Sequence, residues 1–298
     1  MIGRDLLRRL TSNRTRRNLA FKLVSARQPT ARWRSLPNAL IIGAQRCGTS
    51  SLFKYLGAHP QCRPSIRKEV RYFTEFSYRG IDWYRAHFPL TLVNGRRPLV
   101  YFEATPDYLL DPRAAGRAVD LLPDLKVIVL LRDPVDRAYS HYWHNRRLGT
   151  ESLSFREALE REESRIGPAL RLVESEPEVP APKSLLRYSY VERGRYATQL
   201  RRWSNLLDKN RMLILRSERV FYDTDATFQE ILRFLGLEEW RPDAYRNYSY
   251  DSSRPVPPPM PADCRDFLAQ AFAEELKDMP LVLGDTKFVF DDWYGASL

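Results

Sequence analysis

The sequence predicts an α/β chain, a parallel β-sheet flanked by helices and folded as a single domain. Three observations lead there. A short apolar run, Ala39 to Ile42, stops at Gly43 and passes through a turn into a helical pattern. A second run, Lys126 to Leu131, is apolar on both faces, as a strand in the middle of a parallel sheet must be. Strand-like and helix-like segments then alternate as far as Leu235, the rhythm of right-handed crossover units.

The first crossover organises the rest. Ala39 to Leu52 reads A-L-I-I-G-A-Q-R-C-G-T-S-S-L, a strand, a tight turn of small residues and hydroxyls opening a helix through Leu52, Phe53 and Leu56. Open N–H groups and the positive end of a helix dipole point into such a turn, which makes it a P-loop-like anion site. Gly43 and Gly48 have the spacing of G-x-x-x-x-G-K-S/T, but Thr49 stands where the lysine belongs. An NTP-hydrolysing loop uses that lysine on the β and γ phosphates, so its absence argues against an ATPase or GTPase. The cation sits earlier, at Arg46, whose guanidinium can hold an oxyanion through two parallel hydrogen bonds. A turn packed with small residues for their size alone satisfies the same pattern.

With 298 residues and 43% hydrophobic content the chain can bury a sizeable core. No stretch approaches the roughly 18 consecutive apolar residues of a membrane span, and no apolar signal core opens the chain. These features predict a cytoplasmic protein, free or peripheral to a membrane. Cys47, Cys62 and Cys264 lack metal-type spacing, which fits a reducing compartment without structural zinc. Cys47 has no identifiable histidine partner and reads as a loop-packing residue.

The net charge of +11 is concentrated at one end. Residues 1–34 hold ten Arg or Lys against Asp5 alone, a net of +9, which leaves +2 for the other 264 residues. The sequence therefore divides into a basic leader, 1–34, and a nearly balanced domain, 35–298. The leader can rest on anionic lipid, or be a solvated or packed tail.

After the loop, His59-Pro60 closes the first helix. R-K-E-V-R-Y-F-T-E-F, Arg67 to Phe76, then sets Glu69 between Lys68 and Arg71 beside aromatic residues. Such a carboxylate suits a general base, and suits a surface ion pair as well. A strand is predicted over Pro98 to Ala104, and a helix from Pro112 to Leu122 with Asp111 as N-cap. Beyond the strand Lys126–Leu131, Asp133 caps and Pro134 opens another helix. Arg132 thus falls on the C-terminal edge of the sheet, level with the Gly43 turn, where open α/β sheets bind ligands. Ser140, two turns into that helix, can meet a group held by Arg132, and a second phosphate fits the pair. A solvated arginine and a helix-surface serine fit equally. Further helices are predicted over Phe155–Arg165, Tyr196–Leu207, Thr224–Leu235 and Pro261–Leu276, with a strand at Arg211–Arg216.

Together these stretches resemble the sulfotransferases that use 3′-phosphoadenosine 5′-phosphosulfate (PAPS), especially the carbohydrate branch with its heparan sulfate enzymes and bacterial relatives. I-I-G-A-Q-R-C-G-T-S-S-L is similar to the 5′-phosphosulfate loop, and K-E-V-R-Y-F to the segment bearing the catalytic glutamate, which falls on Glu69. R-G-I-D-W-Y-R-A-H-F-P, V-I-V-L-L-R-D-P-V-D-R-A-Y-S, G-R-Y-A-T-Q-L-R-R-W and F-L-G-L match the branch in order, and the second of these elements carries the 3′-phosphate arginine and serine on Arg132 and Ser140. The resemblance runs from Asn38 to Leu237 and more loosely to Trp293. One departure is Ala104, where heparan sulfate enzymes carry a lysine, so a heparan-type acceptor does not transfer.

The resemblance implies in-line transfer of a sulfuryl group to a hydroxyl or amine of a carbohydrate-like or small acceptor, such as a glycan or glycolipid. Arg46, Cys47, Gly48, Thr49, Ser50 and Ser51 would hold the phosphosulfate, with Arg46 also stabilising the developing charge. Glu69 would take the acceptor proton, and Arg132 and Ser140 would hold the 3′-phosphate. Arg195, Tyr196 and Arg254 are further candidates for donor contacts. No metal and no nucleic-acid partner are expected. The competing readings are a kinase with a degenerate loop and a basic protein that binds lipid or nucleic acid through residues 1–34.

Overall fold

The computed structural model describes residues 13–91, 99–248 and 255–284, with side chains from residue 19 onward. Five strands form one parallel sheet: β1 (Ala39–Gly43), β2 (Cys62–Pro64), β3 (Val100–Ala104), β4 (Lys126–Leu131) and β5 (Met212–Arg216), in the order β2-β3-β1-β4-β5. β1 is buried along its whole length, and so is β4 beyond Lys126, which is why both read as unbroken apolar runs. The three central strands end side by side. Ile41 is in register with Ala104 and Gly43 with Val129, so the exits of β1, β3 and β4 share one edge.

The chain order 2-3-1-4-5 places a reversal beside β1, because the chain leaves that strand toward β2 and returns to its other side as β4. A crevice opens at such a reversal, outside the carboxyl ends of the strands. Thr49–Ala58 follows β1 and Pro134–Arg147 follows β4, so both helix N-termini face that crevice.

Several elements differ from their predicted bounds. The helix expected over Pro112–Leu122 is two pieces, Asp107–Leu110 and Ala114–Leu121. Asp111 is not its N-cap. That carboxylate takes the backbone N–H of Arg113 at 3.0 Å and its guanidinium at 2.8 Å, a local knot that ends the first piece. Phe155–Arg165 divides at Arg161 into Phe155–Glu160, opened by a Ser154–Glu157 capping box, and Glu162–Ser175. The break turns Glu162 inward onto the N–H groups of Tyr190, Val191 and Glu192. The last helix runs Ala262–Leu283, past Leu276 and through Pro280, because Met279 and Leu283 still reach the core.

A short edge strand, β2, and a helix, Asn13–Arg27, were not expected. The leader, where its side chains are described, packs on the domain along one face and leaves the other exposed. Val24 is buried in the main core, and the guanidinium groups of Arg27 and Arg34 both donate to the Phe88 carbonyl. Arg254, Trp293 and residues 1–12 lie outside the described residues.

Candidate active site

The turn after β1 carries two residues in the left-handed region, Arg46 at φ 73° and Gly48 at φ 87°. For Gly48 this conformation is free, whereas an arginine held there reports a constraint from its surroundings. Part of that constraint is visible: Arg46 Nε donates to Ser140 Oγ at 3.1 Å, across 94 residues of sequence. Gly48 caps the helix Thr49–Ala58 without any side-chain acceptor. The first N–H groups of a helix have no intrahelical partner, so this end offers donors and positive potential to an anion.

The other loop residues divide by role. Thr49 is buried and Ser50 half-buried at the helix mouth. Ser51 is wholly buried, and its hydroxyl accepts the N–H of Tyr248 at 3.0 Å. Cys47 is also wholly buried, its N–H turned back to the Ala44 carbonyl. Burial pushes its thiol up to about 11 against the lowering influence of Arg137 and Arg132, an environment that disfavours the reactive thiolate.

Ser140 joins this loop to the exit of β4. Asp133 caps the helix Pro134–Arg147, accepting the N–H of Val135 at 2.8 Å and of Asp136 at 3.2 Å. The cap fixes the helix start, and Arg132 emerges just before it with a third of its side chain exposed. Arg132, Ser140 and Arg147 line one cavity of about 230 Å³, walled by Tyr139, Trp143 and Pro257, with the Asp136 carboxylate at its edge 3.9 Å from the Arg132 guanidinium. Two guanidinium groups, a hydroxyl and aromatic walls suit a phosphate attached to a flat ring system. Tyr196 is buried beneath it and donates its hydroxyl to the Arg132 carbonyl at 3.0 Å, which makes it a strut for the arginine. Arg195 is paired with Glu192 at 3.3 Å.

The third part of the site lies at the end of β3. Glu69 and Arg71 are both left-handed, at φ 62° and 60°, and the backbone between them is pinned onto the strand end. The Glu69 N–H donates to the Ala104 carbonyl at 2.9 Å, that of Val70 to Glu103 and that of Arg71 to the Thr105 hydroxyl. Glu103 is fully buried and also accepts hydroxyl hydrogen bonds from Tyr84, Tyr108 and Thr105. A carboxylate inside an apolar strand, P-L-V-Y-F-E-A, is the sequence signal for such an anchor.

Charge around Glu69 is arranged as a chain. Lys68 reaches one oxygen at 3.0 Å and Arg71 the other at 3.1 Å. Arg71 also bonds Glu75 at 2.8 Å and lies 3.2 Å from Asp107, which is held at 2.6 Å by buried Arg193. Burial raises the Glu69 carboxyl, but Lys68 and Arg71 outweigh it and hold the group down to about 2. Sequence reading found Glu69 and its two neighbouring cations. It missed Asp107 and Arg193, because residues 86 positions apart meet only through the fold.

The sulfotransferase domain family matches residues 36–255, which span all three parts of this site. The human bifunctional heparan sulfate N-deacetylase/N-sulfotransferase 3 is 30% identical over 209 residues, covering 68% of this chain and 22% of that protein. The mouse heparan sulfate glucosamine 3-O-sulfotransferase 3A1 is 30% identical over 216 residues, 69% of this chain and 47% of its own length. This chain thus matches about a fifth of the first relative and about half of the second. The crystal structure of a sulfotransferase from Alicyclobacillus acidocaldarius superimposes with a TM-score of 0.66 at 29% identity, covering 84% of this chain and 96% of that one. A parallel sheet whose β1 turn, β3 end and β4 exit meet at one crevice, together with a match over residues 36–255, makes this chain a member of the sulfotransferase domain family.

Proposed function

We propose that the protein transfers a sulfuryl group from 3′-phosphoadenosine 5′-phosphosulfate to a hydroxyl, or an amine, of a carbohydrate-type acceptor such as a glycan or glycolipid. Sulfuryl transfer from this donor is the family's activity. The observation that carries the residue assignment is the Arg46–Ser140 hydrogen bond, which joins the anion-binding turn to the cavity of Arg132 on one edge of the sheet. A nucleotide phosphorylated on both its 5′ and 3′ oxygens needs two anion sites so connected.

In this reading the N–H groups of Gly48, Thr49 and Ser50 and the Arg46 guanidinium hold the 5′-phosphosulfate. Arg132 and Ser140 hold the 3′-phosphate, while Tyr196 steadies Arg132 from below. The acceptor oxygen forms a bond to sulfur as the bond from sulfur to the 5′-phosphate oxygen breaks, and that oxygen leaves with the electron pair. The acceptor proton passes to Glu69. The product nucleotide is 3′,5′-bisphosphoadenosine.

A carboxylate held to about 2 is ionised but a weak base. The acceptor hydroxyl becomes strongly acidic only as its bond to sulfur forms, so a weak base suffices late in the step. Lys68 and Arg71 sit where they can be shared between Glu69 and the anionic donor. Each cation drawn toward the donor restores basicity to Glu69 when it is needed. Named relatives modify heparan sulfate. A sugar hydroxyl or amine is the acceptor chemistry carried here, and Ala104 in place of the lysine leaves heparan itself aside.

The test is Glu69→Gln, assayed with a panel of sugar acceptors and titrated with 3′,5′-bisphosphoadenosine. Transfer should fall by on the order of 10²–10⁴-fold while nucleotide affinity stays within about twofold. An active variant would remove Glu69 from the role of base. A kinase is disfavoured by Thr49 at the lysine position of the loop.

A further inference from the structure

The helix Asn13–Arg27 has two apolar faces, and protein covers one of them. Phe21 and Val24 turn inward, with the Phe21 ring 6.1 Å from Phe76 and Val24 in the core. Leu19 and Leu23, four residues apart on the opposite face, are 57% and 48% exposed. The turn that follows, Gln28–Trp33, ends on Trp33 at 52%, beside exposed Leu90, which pairs through the Arg34–Leu90 bridge. Tyr78 and Ile81 are exposed nearby, where the helix Gly80–Arg85 packs against that turn.

These six side chains are nearly half of the thirteen large apolar residues exposed among the described residues, so the patch is a local concentration. Its charge has one dominant sign. Lys22, Arg32 and Arg79 are exposed within it, against Asp82, and Arg32 stacks on Trp33 at 4.1 Å. Residues 1–34 carry the chain's net +9. Apolar side chains that penetrate a headgroup layer, amphipathic Trp and Tyr at its level and long cations around them match an anionic lipid interface. A protein partner would call for an apolar core depleted of charge, whereas Arg32 stacks on Trp33 within the patch.

We propose that this face seats the protein on an anionic membrane surface, so that the site receives a lipid-anchored acceptor. The Arg67 guanidinium lies 5.2 Å from the Phe21 ring on the inner side of the helix, and Glu69 follows two residues later. The helix whose outer face meets the lipid thus covers, with its inner face, Arg67, two residues before Glu69 in the chain, which links the seating to the segment that carries the base. The acceptor half of this inference rests on the sulfuryl-transfer reading; the seating does not.

The test is co-sedimentation of the full chain with phosphatidylcholine vesicles, with and without phosphatidylglycerol, alongside titration with 3′,5′-bisphosphoadenosine. The chain should bind the anionic vesicles at least ~10-fold more tightly than the neutral ones. Leu19→Ser/Leu23→Ser/Trp33→Ser should lose about tenfold or more of that binding with unchanged nucleotide affinity, which also reports an intact fold. Lys22→Glu/Arg32→Glu, on side chains already in solvent, should show the same loss and covers the case of a misfolded triple variant. Absence of binding to anionic vesicles overturns the proposal. So does binding that both variants retain, or a concentration-dependent dimer that the triple variant abolishes. Failure of the nucleotide to bind wild-type protein instead overturns the transfer reading and leaves the vesicle result standing.

Discussion

Glu69 holds both cations that lower its basicity, so its titration can be moved by a single change. Replacing Arg71 with Gln removes a charge 3.1 Å from the carboxylate and leaves burial to push the group upward. The acid limb of the kcat/KM profile should then rise by about one unit or more, whereas the wild-type profile stays flat on the acid side down to the limit of folding. A profile unchanged by Arg71→Gln would separate Arg71 from the base. The same pairs bear on stability with a defined sign. The folded pKa lies below the ordinary 4.5, so the ion pairs contribute above that pH, and the contribution is lost as pH falls toward 2. With a third of the side chain exposed the contribution is small.

Arg132 makes a sharper residue-scale prediction. Arg132→Ala should weaken 3′,5′-bisphosphoadenosine by roughly 10-fold to 100-fold and adenosine 5′-phosphate by less than about twofold, read by calorimetric titration in EDTA. Equal losses for both nucleotides would assign the arginine to the fold instead of the 3′-phosphate. Cys47, Cys62 and Cys264 are all buried, so alkylation of native protein should be slow at each and become fast only on unfolding.

At the scale of elements, the helix Tyr196–Ser204 matters through what it supports. Gly194 precedes it where three elements meet. A Cβ there would lie 2.5 Å from the Phe272 ring and 3.1 Å from Pro134, the residue that opens the Arg132 helix. Gly194→Ala should therefore cost about 1–3 kcal/mol, seen as a lower melting temperature. It should weaken bisphosphoadenosine binding as well, because the displaced helix start carries Arg132. Boundaries were legible in sequence where they depend on local chemistry. Asp133-Pro134 announced a helix start that the structure keeps, with the carboxylate bonded to two N–H groups. They were not legible where a distant partner decides. Glu162 breaks a helix by turning to N–H groups some 28 to 30 residues away, and no pattern around Arg161 signals it.

For the whole molecule, a site assembled from the ends of β1, β3 and β4 couples ligand binding to global stability. At one hundred times its dissociation constant, 3′,5′-bisphosphoadenosine should add about 2.7 kcal/mol, read as a rise in melting temperature, and EDTA should not diminish the rise. ATP at the same concentration should give much less, because its terminal phosphates do not reproduce a 3′-phosphate. A larger shift with ATP would favour the kinase reading.

The sequence by itself determined the parallel sheet, the turn into the first helix and three of the side chains at the sheet's edge, Arg46, Glu69 and Arg132. Each of these depends on contiguous residues: an apolar run, small residues that permit a turn, a cation at a fixed offset. Only the tertiary structure decided that Arg46 meets Ser140, that Tyr196 braces Arg132 and that Arg193 anchors Asp107 beneath Arg71. Those contacts join segments 64 to 94 residues apart. Their geometry is set by how strands order in the sheet, which local periodicity does not encode.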